Sequence, residues 1–134
     1  MRFVVGADED RPVVSFVAAR LREEGHDVRV LPVGAWARVA LDVANAVARG
    51  EADQGVVCCW TGTGVAIAAN KVGGVRCALC ADAQTAAGAR KSNDANVLAL
   101  SLRAMSEPVA GEIVDAWLAE KYGGTEDESL ALLR

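Results

Sequence analysis

The chain has 134 residues, 52% of them hydrophobic, and a formal net charge of -4. This length and composition predict one domain with a substantial core and argue against disorder. There is no basic block to bind nucleic acid, no apolar run near the roughly 20 residues of a membrane span, and no apolar N-terminal stretch long enough for a signal peptide. We therefore expect no nucleic-acid or membrane partner and a cytoplasmic location.

Strand-like and helix-like segments alternate along the chain. Five apolar, β-branched segments are typical of buried parallel strands: residues 2–7, 27–33, 54–59, 75–81 and 96–102. Five segments with helical spacing follow them: a helix with Pro12 in its first turn that ends at Gly25, then 35–49, 64–71, 82–91 and 107–122. Asp8 or Asp10 is expected to cap the first helix, and Asp82 the fourth.

This alternation predicts the α/β class, with a parallel sheet covered by helices on both faces. Ligands bind such folds beyond the carboxyl ends of the strands, near the switch in strand order. We expect a single domain over residues 1–122. Residues 123–134, GGTEDESLALLR, begin with a break and continue with a short apolar stripe, so we expect an arm that packs on a partner subunit.

The most informative segment is residues 55–71, GVVCCWTGTGVAIAANK. A strand ends in Cys59, and a glycine-rich turn leads into the next helix. Gly62 and Gly64 permit a tight turn whose N–H groups can hold an anion, and a nearby helix N-terminus favours the thiolate of Cys59. The pattern predicts a base or nucleophile beside an oxyanion site. Cys58 points to the other face and is expected in the core.

Other polar clusters are less specific. Cys77 and Cys80 form a C-x-x-C, but on a strand they face opposite sides and a second ligand pair is missing, so we expect no metal site. The residues around Asn93 suit either a turn or sugar hydroxyls. Those around Asp8 and Glu9 suit a helix cap or hydroxyl binding. His26, the one histidine, is expected at the amino end of the sheet, away from the ligands.

Residues 55–102 resemble the ribose-5-phosphate isomerase B/galactose-6-phosphate isomerase family. The resemblance rests on CCWTGTGVAIAANK at 58–71 and NDANVL at 93–98. It implies a Rossmann-like three-layer α/β/α sandwich with a five-stranded parallel sheet. It also implies a homodimer or tetramer with sites at the subunit interface, which acts on a sugar or sugar phosphate. We expect no cofactor.

The resemblance also implies roles for individual residues in an aldose–ketose isomerisation through a cis-enediolate. Cys59 is the proton-transfer base, and the turn of Thr61, Gly62, Thr63 and Gly64 completes the catalytic set by holding the enediolate oxygen. Substrate-binding positions are Asp8, Glu9, Trp60 and Asn93. Val65 stands where one branch of the family has a glutamate base, so the chain resembles the cysteine branch.

Several departures from the family pattern bear on the substrate. Glu9 and Ser92 stand where the family has histidines, Trp36 aligns roughly with a tyrosine, and Thr125 and Ser129 align roughly with phosphate-binding arginines. Arg11 or Arg103 could take the place of these phosphate-binding arginines. Trp60 replaces a small residue. Without a histidine acid, ring opening is poorly supported, so we expect a small or acyclic sugar, such as a tetrose phosphate, with a pentose phosphate as the competing substrate.

Two other hypotheses remain open at this stage. The chain could be a catalytically incomplete sugar-binding subunit of a two-chain isomerase. It could also be a thiol enzyme of another class, such as a redox protein, although the adjacent Cys58 and Cys59 are poorly placed to pair.

Overall fold

The computed structural model describes residues 1–133. In these residues five strands alternate with five helices in chain order, and a sixth, short helix follows the fifth. The strands are β1 (Arg2–Ala7), β2 (Asp27–Val30), β3 (Gln54–Cys59), β4 (Cys77–Leu79) and β5 (Val97–Ser101). The helices are α1 (Pro12–Glu23), α2 (Trp36–Ala48), α3 (Thr63–Ala69), α4 (Ala83–Asn93), α5 (Glu107–Ala119) and α6 (Asp127–Leu130).

All strand pairs are parallel, and the strand order is β2-β1-β3-β5-β4. The chain builds outward from β1 to β2 and then crosses back to place β3 on the other side of β1. This reversal opens a crevice at the carboxyl ends of β1 and β3, where α/β folds bind their ligands.

Helices cover both faces of the sheet, so the protein is the predicted three-layer, Rossmann-like α/β/α sandwich. Side chains alternate between the two faces of each strand. Phe3, Val5 and Val56 pack in one core with side chains of α1, α4 and α5. Val4 and Val57 pack in a second core with side chains of α2 and α3.

The element boundaries follow local chemistry, with one correction. Asp82 caps α4 as predicted, because its Oδ1 accepts a hydrogen bond from Thr85 N at 2.7 Å. The predicted cap of α1 is wrong: its N-cap is Arg11, with no side-chain cap. Pro12 supplies the helical φ at the first position instead, and Asp8 and Asp10 lie farther upstream. Within residues 1–133, no helix is long and apolar enough to cross a membrane.

Candidate active site

The candidate site lies at the carboxyl ends of the two central strands, β1 and β3. The register pairs Ala7 with Cys58, so Asp8 and Cys59 are the next residues along these neighbouring strands. The backbone N–H of Asp8 donates to the carbonyl of Cys58 at 3.2 Å, which extends the ladder to the edge. Asp8 and Cys59 are therefore fixed beside each other at the switch in strand order.

The two adjacent cysteines face opposite cores. Cys58 packs on the side of α1 and α5, and Cys59 on the side of α2 and α3. Burial raises the pKa of Cys58 to about 12, with smaller contributions from Cys59 and Asp8. Cys58 therefore remains a protonated core residue, as the sequence predicts. Cys59 is also buried in the single chain, at 6% exposed, but it is the last residue of its strand.

The turn after Cys59 requires glycine. Gly62 has φ of +77°, a left-handed conformation that side chains rarely adopt. A Cβ there would lie 2.5 Å from Leu79 Cδ1 and 3.0 Å from Ser101 N. Thr61 Oγ1 and Thr63 Oγ1 are 2.7 Å apart and share a hydrogen bond. The four predicted turn residues thus form one compact unit, and the first N–H groups of α3 have no acceptor within the helix.

Two apolar side chains that the sequence analysis left out of the site pack directly on this turn. Leu79, at the end of β4, covers Gly62, and Trp36, at the start of α2, covers Gly64. A Cβ at Gly64 would lie 2.9 Å from the Trp36 ring. Both residues stay partly exposed. The position of Leu79 near the carboxyl end of the predicted strand 75–81 was the available signal, whereas the contact of Trp36 arises from the packing of α2 on α3.

The acidic loop after β1 contributes two different environments. Asp8 Oδ1 is buried without a hydrogen-bond partner in the described chain. Burial, followed by repulsion from Glu9, raises the pKa of Asp8. Glu9 instead pairs with Arg11, with Oε2 2.7 Å from Nε. Asp8 is therefore the free carboxylate beside Cys59, and Glu9 is already engaged by a cation.

Trp60 leaves β3 on the side opposite to Cys59 and lies against the start of α1. Its ring is 5.0 Å from the Arg11 guanidinium carbon. Its carbonyl accepts hydrogen bonds from Ser101 Oγ at 2.9 Å and from Arg103 N at 3.0 Å. Trp60 thus joins the loops that follow β1, β3 and β5.

Asn93 is the predicted site residue that one chain does not bring to this edge. It is the exposed last residue of α4, just before β5, and so lies at the amino edge of the sheet. Its neighbours have structural contacts there: Arg76 Nε donates to the Asp94 carbonyl at 2.7 Å, and Asn96 Oδ1 accepts from Arg76 N at 2.7 Å. A parallel sheet separates its two edges, so Asn93 and Cys59 of one chain cannot share a ligand.

The other histidine and cysteine candidates do not face the Cys59 side of the carboxyl edge. His26 is at the amino edge as predicted, with Nδ1 2.9 Å from the N-terminal nitrogen. Cys77 and Cys80 pack in opposite cores, and burial raises the pKa of Cys77 to about 12 and that of Cys80 to about 11. Residues 1–133 contain no group of three or more side chains suited to hold a metal ion.

The described part of the C-terminal segment carries the short helix α6 and the exposed Leu132 and Leu133. Tyr122 OH donates to Asp127 Oδ1 at 2.7 Å and accepts from Glu126 N. Leu132 and Leu133 border a cleft of about 550 Å³ that also includes Asn93 and the loop before β4. The segment therefore runs along the amino edge of the sheet, and 83% of Leu132 remains exposed.

Comparisons with known proteins agree with this arrangement. A model of the ribose/galactose isomerase family matches residues 4–131. The chain is 42% identical over 115 residues to ribose-5-phosphate isomerase B of Escherichia coli K12, covering 81% of this chain and 76% of that protein. It is 44% identical over 86 residues to D-erythrulose-4-phosphate isomerase of Pectobacterium atrosepticum, covering 64% and 57%. A solved ribose-5-phosphate isomerase B from Clostridium thermocellum superposes with a TM-score of 0.93 at 35% identity, covering 98% and 94%.

Proposed function

The chain belongs to the ribose/galactose isomerase family, and from that premise we propose that it interconverts an aldose phosphate and a ketose phosphate with Cys59 as the proton-transfer base. The chain is an aldose–ketose isomerase. The observation that carries the choice of base is the location of Cys59 at the end of β3, between Asp8 and the glycine turn. An active enzyme is favoured over an incomplete subunit because the two relatives described above are each named as an isomerase.

The proposed reaction moves one proton between neighbouring carbons and a second proton between the oxygens on those carbons. The thiolate of Cys59 takes a proton from C1 of the ketose or C2 of the aldose, which forms a cis-enediolate. The same proton then returns to the other carbon. The N–H groups at the start of α3 hold the oxygen on which negative charge develops, with Thr61 and Thr63 hydroxyls beside it. Asp8 accepts a hydrogen bond from a substrate hydroxyl.

The chain offers no histidine for opening a sugar ring at this site. Its one histidine, His26, is at the opposite edge of the sheet and contacts the N-terminus. Ring opening needs a positioned acid and base. We therefore propose an open-chain substrate, a four-carbon sugar 4-phosphate, whose esterified terminal hydroxyl cannot close a furanose ring. Arg103, exposed at the carboxyl edge after β5, is the proposed cation for its phosphate.

A second copy of the chain completes the proposed site. Asn93 of one chain is confined to the amino edge, so its amide reaches a substrate at Cys59 only from a partner subunit. The C-terminal arm, 123–134, is proposed to contact that partner through its exposed leucines.

The adjacent cysteines provide the experiment that tests the base. We expect Cys59→Ala to lower both turnover and solvent deuterium exchange at the substrate carbon about 10²–10⁴-fold, because the base is lost. Cys58→Ala is the matched control and should retain both, since Cys58 is a core residue. The assay uses tetrose, pentose and hexose substrates in D2O, each with and without phosphate. Full exchange by the Cys59 variant with any of them would refute the proposed role.

A further inference from the structure

Trp60 is held both at its main chain and at its ring. Its carbonyl is bound by Ser101 Oγ and by Arg103 N, which fixes the main chain to the turn after β5. Its ring is covered by the guanidinium of Arg11 at 5.0 Å, a geometry in which the cation is attracted to the ring face.

Arg11 is itself restrained. Its Nε is 2.7 Å from Glu9 Oε2, and it directly precedes Pro12, whose φ is fixed by its ring. A chain of contacts, here called the Trp60 stack, therefore runs from the Trp60 ring through the Arg11 guanidinium to the Glu9 carboxylate. It connects the loop after β3 to the loop after β1, and these are the two loops that carry Cys59 and Asp8.

A second tryptophan flanks the same thiol on the other face of the sheet. Trp36 packs on Gly64 at the start of α3, whereas the Trp60 stack covers the start of α1. Both rings remain about half exposed, Trp36 at 47% and Trp60 at 46%. Each face of the sheet thus has one half-exposed tryptophan ring beside the carboxyl edge where Cys59 and Asp8 lie.

We propose that Trp60 is the residue that limits substrate length, with Arg11 as the positioning residue that holds the Trp60 ring in place. This inference rests on the proposed isomerase function. The main-chain hydrogen bonds and the Arg11 guanidinium together hold the Trp60 ring at the carboxyl edge next to Cys59. A substrate with one more CHOH group would then have to displace this ring, and misfits of this size change kcat/KM by about tenfold or more.

The test is a size series at position 60 measured with four-carbon and five-carbon sugar phosphates. The wild type should favour the four-carbon substrate. In Trp60→Phe, Trp60→Leu and Trp60→Ala, the ratio of kcat/KM for five carbons to that for four carbons should rise stepwise, by about tenfold or more for alanine. The readout is this ratio within each variant, because a general loss of turnover lowers both kcat/KM values equally and leaves the ratio unchanged.

Arg11 supplies the matched variants for the positioning role. Arg11→Met keeps the chain length but removes the cation, so it should shift the ratio in the same direction by a smaller factor. Arg11→Lys retains a cation over the ring and should restore the wild-type ratio.

The outcomes separate this inference from the proposed function. A constant ratio across the series, or an equal loss for both substrates, in an active wild type would overturn the inference alone. A wild type that prefers the five-carbon substrate would overturn it too. No turnover and no deuterium exchange by the wild type with any sugar phosphate would remove the proposed function, and the inference with it. If Trp60→Ala does not fold, the phenylalanine, leucine and Arg11 variants decide.

Discussion

At the scale of single residues, the site separates neighbours of the same chemical type by their surroundings. Cys58 and Cys59 are adjacent, yet strand alternation turns Cys58 into the core near α1, where burial raises its pKa to about 12. Asp8 and Glu9 are also adjacent, yet Glu9 is paired with Arg11 and Asp8 Oδ1 has no partner in the described chain. In the proposed mechanism, the other member of each pair acts on substrate, and the sequence distinguishes the two cysteines but not the two carboxylates.

We expect substitution of Asp8 by asparagine to change stability and activity in opposite directions. Its pKa is raised in the folded state, so its protonated form is favoured there. The stability this provides is fully present below the unfolded pKa of about 3.9 and is lost as the pH rises through the higher folded pKa. Asp8→Asn removes the buried charge and should therefore be more stable than wild type at pH 7. That advantage should vanish below about pH 4, as Asp8 of the wild type becomes protonated in both states.

The activity of the same variant should move the other way. Loss of a charged hydrogen-bond acceptor should lower kcat/KM about 10–100-fold. Urea denaturation at pH 7 and pH 3.5, with turnover at pH 7, measures both effects. Equal or lower stability of Asp8→Asn at pH 7 would contradict the unfavourable burial of this carboxylate.

At the scale of elements, the β3–α3 turn is the most demanding local structure of the site. Cys59 ends a buried strand, Gly62 adopts a left-handed conformation, and Leu79 and Trp36 pack on the turn where Cβ atoms are absent. A different element, the α4–β5 turn, is fixed by Arg76 on Asp94 and leaves Asn93 exposed. The sequence identified both turns, but the contacts of Trp36 and Arg76 join residues far apart in the chain.

Two glycine-to-alanine variants test the strain in the β3–α3 turn. Gly62→Ala forces a Cβ into a left-handed residue 3.0 Å from the β5 backbone, and should lower the free energy of unfolding by at least about 1–3 kcal/mol. It should also reduce turnover by displacing the N–H groups of α3. Gly88→Ala is the control: it lies inside α4 with no atom within 4 Å of the new Cβ, and should raise stability by about 0.5–1 kcal/mol. Thermal denaturation and turnover of the two variants should diverge, and a harmless Gly62→Ala would argue against a rigid turn.

At the scale of the whole molecule, the sheet separates two groups that the proposed site needs together. Cys59 lies at the carboxyl edge and Asn93 at the amino edge of the same sheet. A two-fold dimer in which the carboxyl edge of one chain meets the amino edge of the other would give two equivalent sites. The exposed leucines of the C-terminal arm border the cleft beside Asn93, on the side where that partner is expected.

Mixing two inactive variants tests whether the sites are shared. Cys59→Ala and Asn93→Ala should each be impaired alone. If each site combines Cys59 of one chain with Asn93 of the other, a mixed dimer has one intact site. Random co-assembly of equal amounts should then recover about a quarter of the wild-type sites. The measurement is turnover of the co-refolded mixture, with each variant refolded alone as control. If the mixture is no more active than the mean of the two variants refolded alone, either each chain holds a complete site or Asn93 is not part of the site.

The sequence by itself determined the α/β class, four of the five strands to within two residues at each end, and the turn that presents Cys59. These features depend on short-range rules. Apolar β-branched runs form strands, and the alternation of side chains along a strand puts Cys58 and Cys59 on opposite faces. Glycines mark a turn whose backbone conformation is unfavourable for other residues. The β2 strand, which ends at Val30 rather than 33, and the cap of α1 were less well predicted.

Only the tertiary structure decided which residues surround the thiol. Strand order is not encoded locally. The order and register of the strands place Asp8 next to Cys59 and separate Asn93 from both. The Trp60 stack and the packing of Trp36 on Gly64 likewise join loops that are distant in the chain. Local pattern therefore specified the proposed base and its neighbour Trp60, whereas long-range packing specified the other groups beside them, because Asp8, Arg11 and Trp36 belong to elements outside the turn.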